Sequence, residues 1–284
     1  MKKRRYKEKL ANLFLISMVM IILSSVFMMF YFIIFRGIKV INWQFLTQMP
    51  QKGMTAGGIF PAILGTLYLT IGAICFALPL GTSAAIYLTE YAGQNRLIRI
   101  IRVGINNLAG VPSVVFGLFG LAIFVKFLNF GVSILSGSLT LGILILPTII
   151  RASEEALSTV PQSFREASLA LGATKWQTIQ NVVLPNSISG ILTGSILSIG
   201  RAAGETAPIL FTAATFYTMR LPNSIFSEVQ TLPYHIYALM TEGTHPESQV
   251  PIAYGTALVL VLLVLGLNLI AFTLRNRFRR SKKW

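Results

Sequence analysis

The chain has 284 residues, of which 54% are hydrophobic and 12% are charged, and its mean hydropathy is +0.69. A charge content about half that of an ordinary soluble domain excludes a soluble globular protein and favours an all-α integral membrane protein. The net charge of +15 does not indicate nucleic-acid binding, because six basic residues lie in the first nine positions and six in the last ten, each group beside an apolar run.

Six apolar segments are long enough to cross a membrane when they are scanned with a window of about 19 residues. They predict transmembrane helices at Ala11–Phe35, Gly58–Leu88, Leu108–Leu128, Val132–Ile150, Ser187–Tyr217 and Ile252–Leu274. Six crossings place the two basic tails, residues 1–10 and 275–284, on one side, and basic flanks mark the cytoplasmic side. We therefore predict cytoplasmic N and C termini, an uncleaved first helix over 11–35 and a membrane core over 58–274.

The sequence lacks the residues that several other functions require. Cys75 is the single cysteine, so disulfides within the chain and cysteine-based metal sites are excluded. No P-loop pattern occurs, and the chain has two histidines and no aspartate, so there is no pattern for metal-assisted or triad hydrolysis. We expect no catalytic residue, no metal and no cofactor, with ATP hydrolysis supplied by a separate subunit.

A predicted cytoplasmic loop over 152–186 contains two short amphipathic helices. Each begins with the spacing of a capping box, at Ser163 and Glu166 and at Thr174 and Gln177, with Gly172 as a C-terminal cap between them. Apolar residues share one face of each helix, Phe164, Ala167 and Leu171 on the first and Trp176, Ile179 and Val183 on the second. The pair predicts a docking surface for another protein; the alternative is an interfacial pair that rests on lipid.

An arginine and a glutamate four residues apart lie in the fifth predicted span, within SIGRAAGETAPILFT. A lone arginine at the bilayer centre costs about 2.5 to 3.5 kcal/mol, so Arg201 and Glu205 are expected to face the protein interior or a water-filled path. Gly204 leaves space beside them, and a guanidinium donates two parallel hydrogen bonds to a phosphate-like anion. These residues alone fit either an anion path or a structural salt bridge that fixes helix register at a partner interface.

The cytoplasmic loop resembles the EAA loop of ATP-binding cassette (ABC) importer permeases. Its pattern is Glu-Ala-Ala, a glycine a few residues on and Leu-Pro before the next span; here Glu166-Ala167-Ser168, Gly172 and Leu184-Pro185 match, with serine for the second alanine. In that family the first helix inserts into a groove of the ATPase subunit and transmits its closure to the membrane helices. The resemblance implies that the ATPase-coupling residues are Phe164, Glu166, Ala167, Leu171, Gly172, Trp176 and Pro185.

Three other stretches resemble the PstA-type phosphate permease family. They are LPLGTSAAIYLTEYA (78–92), NLAGVPSVVFGLFGLAIF (107–124) and GRAAGETAPILFTA (200–213). The sister permease of that transporter usually has Met-Ala where this chain has Ala207-Pro208, which favours the PstA-type half. The resemblance implies a type I ABC importer permease fold with six transmembrane helices, in the cell membrane of a prokaryote, that translocates inorganic phosphate.

The same resemblance assigns a substrate path to particular residues. Arg201 and Glu205 match the intramembrane charges of the family, with Gly204 beside them. Arg151, followed by Glu154 and Glu155, resembles a second charged cluster near the cytoplasmic mouth; the alternative for Arg151 is a solvated helix end.

The family resemblance also implies the partners of the chain. They are a homologous PstC-type permease, two ABC ATPase subunits, an extracytoplasmic phosphate-binding protein and membrane lipid, with no nucleic acid. Three other functions stay open at this point. The chain could be an importer permease for another oxyanion or small solute, a secondary transporter or channel that works alone, or a membrane sensor that signals through the ATPase without transport.

Overall fold

The computed structural model describes residues 2–93, 95–215 and 220–280, and side chains from residue 9 to residue 277 within those ranges. In chain order the helices are α1 (Lys2–Gly37), α2 (Trp43–Thr47), α3 (Phe60–Ile86), α4 (Arg96–Leu108), α5 (Ser113–Gly120), α6 (Ile134–Ser158), α7 (Gln162–Ala170), α8 (Lys175–Thr178), α9 (Leu184–Gly204), α10 (Ala207–Thr212), α11 (Leu232–Thr241) and α12 (Pro246–Arg280).

Short elements extend or connect these helices. Turns of π-helix follow α3 at Tyr87–Tyr91, follow α5 at Leu121–Phe127 and join α8 to α9 at Ile179–Val183. Between α2 and α3, strands β1 (Pro50–Gln51) and β2 (Ala56–Gly57) pair antiparallel around a 3-10 turn at Lys52–Met54.

Five helical segments among the described residues are long and apolar enough to cross a membrane. They are Lys9–Gly37, Phe60–Tyr91, Ile134–Ser158, Lys175–Gly204 and Pro246–Arg277. A sixth candidate is the pair Arg96–Leu108 and Ser113–Phe127, whose two parts are bent by 102°. Counting the bent pair as one crossing gives the predicted number of six.

Two of the predicted spans contain a break in the helix, and two others are exceeded, by α6 to Ser158 and by α12 from Pro246 to Arg280. The third, Leu108–Leu128, begins only at Ser113, because Pro112 lacks an N–H and disfavours helical geometry in the residue before it. The fifth, Ser187–Tyr217, begins earlier, at Lys175, and ends at Gly204, and only the short α10 follows it. Its predicted end at Tyr217 lies outside the described residues.

The core of the fold lies between α3 and α6. The buried residues there are Leu69, Ala73 and Ala77 of α3 and Leu141, Leu144, Ile145 and Ile149 of α6. Small residues allow this close approach, since a methyl group on Gly81 would press against Ile149 and one on Gly142 against Phe76. Membrane helices associate by such close packing because lipid provides no hydrophobic drive between them. The α3–α6 pair is therefore the scaffold on which the other helices lie.

Helix α1 lies outside this core. None of its most apolar 18-residue window is buried, and its described contact with the rest of the chain is made near Gly37, against Tyr254 and Leu258 of α12. An apolar helix this exposed is stable only against lipid or against another membrane helix. The predicted basic tails continue α1 and α12, while residues 1 and 281–284 lie outside the described part of the chain.

Candidate functional site

Arg201 and Glu205 lie where the long helix α9 stops. The helix ends at Gly204, and Glu205 has extended backbone angles, φ −72° and ψ 135°. Pro208 explains the break, because it has no N–H to donate to the carbonyl of Gly204 and its ring would clash with that carbonyl in a continuing helix. The two charges, both expected within the fifth span, therefore do not lie on one helix: Arg201 is on α9 and Glu205 is just beyond it.

The two charges nevertheless contact each other. Arg201 Nε donates to Glu205 Oε1 over 3.4 Å, and the two side chains are 37% and 16% exposed. Within the described residues, the two terminal amino groups of Arg201 have no hydrogen-bond acceptor. Gly204 is exposed, and a methyl group placed on it would touch nothing within 4 Å. The guanidinium thus faces open space with donors to spare, which is the chemistry that an oxyanion requires.

The chain around this break is held in place by α5. A methyl group on Gly117 would lie 3.0 Å from the carbonyl oxygen of Ala207, and one on Gly120 would clash with Thr140 and Thr212. Both glycines thus allow close packing at this contact. Two of the stretches that resemble the phosphate permeases, 107–124 and 200–213, therefore meet in space beside Arg201.

Arg151 is not part of an ion-pair cluster. It is exposed on α6, and among the described residues it has no carboxylate partner. Glu154 instead pairs with Arg102 of α4 over 3.3 Å, and Arg102 also donates to the carbonyl of Leu88. The bend between α4 and α5 places α4 beside α6, which a linear sequence pattern did not indicate.

The predicted capping pattern of the loop over 152–186 holds at its middle but not at its start. Helix α7 begins at Gln162 with Pro161 as its N-cap, so the capping box expected at Ser163 and Glu166 is absent. Gly172 has φ +84° and ends the helix, as predicted. The N–H of Ala173 donates to Ser168 and that of Gly172 to Leu169, the two bonds of a Schellman motif. Thr174 and Gln177 form the predicted capping box, with bonds of 2.8 and 3.2 Å.

The second helix of the loop is not separate from the membrane span. Helix α8 runs through the π turn directly into α9, and the N–H of Leu184 donates to Ile179, five residues back. The wider turn accommodates Pro185, which has no N–H and would clash in a regular helix. Ile179 and Val183 are fully buried, so they belong to the core, contrary to the expectation that they face a partner.

The outward surface of the loop consists mainly of α7 and the turn after it. Phe164, Trp176 and Leu171 are 41%, 55% and 90% exposed, and Glu166, Ala167 and Gly172 are exposed as well. Pro185 is partly buried. A leucine and a tryptophan at such exposure on a polar face are typical of a surface that contacts another protein or lipid.

One residue of the loop, Arg165, was not among the predicted site residues. Its Nη2 lies 2.7 Å from Glu90 Oε1, its Nε contacts both oxygens of Glu90, and the two side chains are only 12% and 8% exposed. It also donates to the backbone carbonyls of Val160 and Leu157, over 2.6 and 2.9 Å. Glu90 is 75 positions away in the chain, so no local spacing could have indicated the pair.

No group of three potential metal ligands occurs among the residues that the structure describes. The buried histidine, His235, lies apart from these sites on α11. Within the described part of the chain, two features therefore have evident binding chemistry: Arg201 with its open donors, and the exposed loop surface.

The fold is similar to that of solved ABC importers. A bacterial ABC transporter involved in the import of the acidic polysaccharide alginate matches with a TM-score of 0.65 at 15% identity, over 96% of this chain and 99% of that chain. The inward-facing MetNI methionine ABC transporter matches with a TM-score of 0.59 at 18% identity, over 78% and 94%. Likeness at such low identity shows a common fold, the type I ABC importer permease fold that was predicted.

Other proteins have a higher sequence identity to this chain than these solved structures. The chain is 35% identical over 280 residues to the probable ABC transporter permease protein YqgI of Bacillus subtilis, covering 94% of this chain and 95% of the relative. It is 36% identical over 286 residues to the phosphate transport system permease protein PstA 1 of Mycobacterium tuberculosis, covering 99% and 91%. It is 33% identical to PstA of Xylella fastidiosa, covering 86% and 85%. The predicted likeness to PstA-type permeases is thus confirmed.

The family model described as "Binding-protein-dependent transport system inner membrane component" matches residues 77–284, from the middle of α3 to the C-terminal end. That range includes the bent pair, the loop around α7 and the break at Gly204. The predicted all-α membrane fold and multi-pass inner-membrane location are confirmed by this match. The chain belongs to the family of inner membrane components of binding-protein-dependent transport systems.

Proposed function

We propose that the protein is the permease subunit of an ATP-driven importer that moves inorganic phosphate into the cell. The observation that carries the proposal is Arg201, whose terminal amino groups face open space at the break after α9. The names of relatives that are 33% to 36% identical, phosphate transport system permease PstA, support phosphate as the substrate. Glu205 and Gly204 complete this part of the path, and Arg151 contributes positive charge on α6.

Phosphate import needs an energy source outside this chain. A phosphate with about two negative charges that enters against an inside-negative potential climbs roughly 4.6 kcal/mol per 100 mV, twice the cost of a single charge. The sequence has no P-loop, so we assign ATP hydrolysis to two separate ATPase subunits. A homologous PstC-type permease and an extracytoplasmic phosphate-binding protein complete the complex, and both basic tails face the cytoplasm.

The exposed loop surface is the proposed contact with the ATPase. The proposed contact residues lie at or beside the exposed face of α7 and its C-terminal turn. They are Phe164, Glu166, Ala167, Leu171, Gly172 and Trp176. Pro185 acts from the start of α9, where it fixes the π turn that joins the loop to the span. Because α8 continues into α9, movement of the loop reaches the helix that carries Arg201 through unbroken helix.

Uptake of phosphate by whole cells tests the proposal. In a strain that depends on this transporter, Arg201→Ala should lower uptake at micromolar phosphate at least about tenfold, as removal of a charge-assisted hydrogen-bond donor pair costs about 1.5–3 kcal/mol. Arg201→Lys should keep part of the uptake, because the charge remains but the fork is lost. Lys126→Ala, in the π turn that follows α5, is the matched control and should leave uptake unchanged.

Substrate specificity is measured in the same strain as the uptake of labelled sulfate and molybdate. The proposal expects phosphate uptake alone to respond to Arg201→Ala. Loss of another oxyanion with phosphate uptake intact would assign the permease to that oxyanion instead. Unchanged uptake of all three would make Arg201 a structural residue.

A further inference from the structure

We propose that Arg165 is a positioning residue that carries the movement of α7 to α3 and α6. This inference rests on the proposed function, in which α7 receives the closure of the ATPase. It adds a second mechanical route to the one through α8 and α9. The route consists of four groups, the Arg165 guanidinium, the Glu90 carboxylate and the backbone carbonyls of Leu157 and Val160, which we call the Arg165 network.

The first link of the Arg165 network joins α7 to the end of α3. Glu90 lies in the π turn that follows α3, and Arg165 reaches it with Nη2 and Nε at 2.7 and 3.1 Å. Both side chains are nine-tenths buried or close to it, at 8% and 12% exposure. A buried charge that loses its partner is strongly destabilised, so the two side chains stay together as α7 moves.

The second link joins α7 to the end of α6. The last carbonyls of a helix have no partner within it, and Arg165 supplies donors to Leu157, in the last turn of α6, and to Val160, just after it. A cation is also favoured at that position by the helix dipole. One side chain therefore holds the cytoplasmic ends of the two helices that form the core of the fold.

A cleft lies beside α7, so the helix depends on these links for its connection to α3 and α6. A cavity of about 650 Å³ separates part of α7 from the ends of α3 and α6, and it is lined by Arg165, Glu90, Leu169 and Lys175. The Ser168 hydroxyl lies 2.9 Å from that of Thr178, which ties α7 to α8 and hence to α9. The Arg165 network connects α7 to α3 and α6 across the cleft. Through it, a displacement of α7 is applied to α3 and α6 together.

Arginine is required at this position for geometric reasons. Its planar fork donates to a carboxylate and to two carbonyls at the same time, whereas the single ammonium of lysine is a point charge on a flexible stem. Arg165→Lys keeps the charge that Glu90 needs but loses the simultaneous contacts with both helices. It is therefore the variant that separates positioning from simple charge neutralisation.

The test uses the full complex reconstituted in lipid vesicles, with phosphate uptake and ATP hydrolysis measured together. For Arg165→Lys we expect an assembled complex that hydrolyses ATP while phosphate taken up per ATP falls about tenfold, within the usual range of coupling between sites. Glu90→Gln should lower the same ratio. Arg99→Lys, a change at an exposed arginine of α4 outside the network, should leave the ratio at the wild-type value.

A distance measurement makes the test independent of the substrate. Spin labels are placed at Ser163 on α7 and Tyr87 at the end of α3, both exposed, in a Cys75→Ser background. The wild-type distance should stay constant when ATP is added, and with Arg165→Lys it should broaden or shift. The same response to ATP in both would overturn the role of Arg165, as would an unchanged uptake ratio. A wild-type complex that shows the constant distance but takes up no phosphate would refute the proposed function alone.

Discussion

Arg201 has one donor bound within the protein and others that are available to an anion. Its Nε is bound to Glu205 at 3.4 Å, a long contact in a partly exposed pair. Such pairs contribute no more than about 1 kcal/mol, so an incoming oxyanion displaces little when it binds the other donors. The carboxylate also repels the anion, which favours release. We therefore propose that Glu205 keeps the guanidinium oriented without holding the substrate too tightly.

Replacing Glu205 by glutamine tests this division. We expect the KM for phosphate uptake to fall about threefold and the maximal rate to fall as well, because loss of the repulsion strengthens binding and slows release, within the 1 kcal/mol of a partly exposed pair. Transport kinetics in vesicles give both values. Glu247→Gln, at an exposed position in the first turn of α12, should change neither. A rise in KM would contradict the assigned role.

His235 predicts how stability depends on pH. It lies on α11, outside the spans, and burial lowers its pKa from 6.5 to about 4. The folded protein thus holds the neutral form, while the unfolded chain takes up a proton below about pH 6.5. Stability is therefore full above that pH and declines as the pH falls towards 4, by about 2 kcal/mol at pH 5.

Thermal unfolding of the purified protein at pH 7 and pH 5 measures this effect. The midpoint should fall on acidification in the wild type and fall less in His235→Gln, which has no ring to protonate. His245→Gln is the control, because His245 is exposed, and it should follow the wild type. An equal fall in His235→Gln would show that other groups set the pH dependence.

The residues of the site differ in how far sequence could predict them. Arg201 was identifiable because an arginine within an apolar run has few structural reasons to be there. Arg165 was not, because it stands in a polar loop where charges are common and its partner is distant in the chain. Glu154 was assigned to Arg151 by local spacing, whereas Arg102 from another helix is its partner.

At the scale of elements, α9 is fitted tightly against α6 by small residues. A methyl group on Gly194 would clash with Ala152, and one on Gly190 would lie 2.5 Å from the Cβ atom of Ala156. The two glycines and the two alanines are each four apart, so they form matching stripes on the two helices. The contact fixes the position of the helix that links the loop to Arg201.

Gly194→Ala should lower the thermal midpoint of the purified protein, because forcing an extra methyl group into close packing costs about 1–3 kcal/mol. Ala152→Gly in the same chain removes the opposing methyl group and should restore much of the loss. Ala152→Gly alone is the matched control. A full loss in the double variant would mean that the clash is not between these two residues.

Helix ends were predictable where a local rule applies and not where two rules compete. Gly172 and the Thr174 capping box follow from residue type and spacing. Ser163 had the spacing of a cap, but Pro161 takes that role two residues earlier, and the helix begins at Gln162. Pro208 indicates the break after Gly204, but the apolar run around it led to the prediction of one unbroken span.

At the scale of the whole molecule, hydropathy gave the number of crossings but not their arrangement. The 102° bend between the two parts of the third crossing and the continuity of α8 with α9 depend on contacts between distant segments. The large exposed apolar surface of α1 likewise reflects a chain that functions in lipid and within a complex. Composition indicates a membrane protein, and only the folded chain shows which surfaces remain for partners.

We propose that ATP hydrolysis by a separate subunit, received at α7, drives phosphate past Arg201. The chain supplies both ends of this link. The exposed loop surface on α7 is tied to α8 by the Ser168–Thr178 contact, and the guanidinium with open donors lies on the continuous helical segment from Lys175 to Gly204. If either end were absent, the permease would bind its partners or its substrate without coupling them.

Labelled phosphate accumulation in vesicles that contain the complete complex tests this claim most directly. The wild type should accumulate phosphate above its outside concentration only when ATP is supplied. Arg201→Ala should hydrolyse ATP with little accumulation. Equal accumulation without ATP, or undiminished ATP-dependent accumulation by Arg201→Ala, would contradict it.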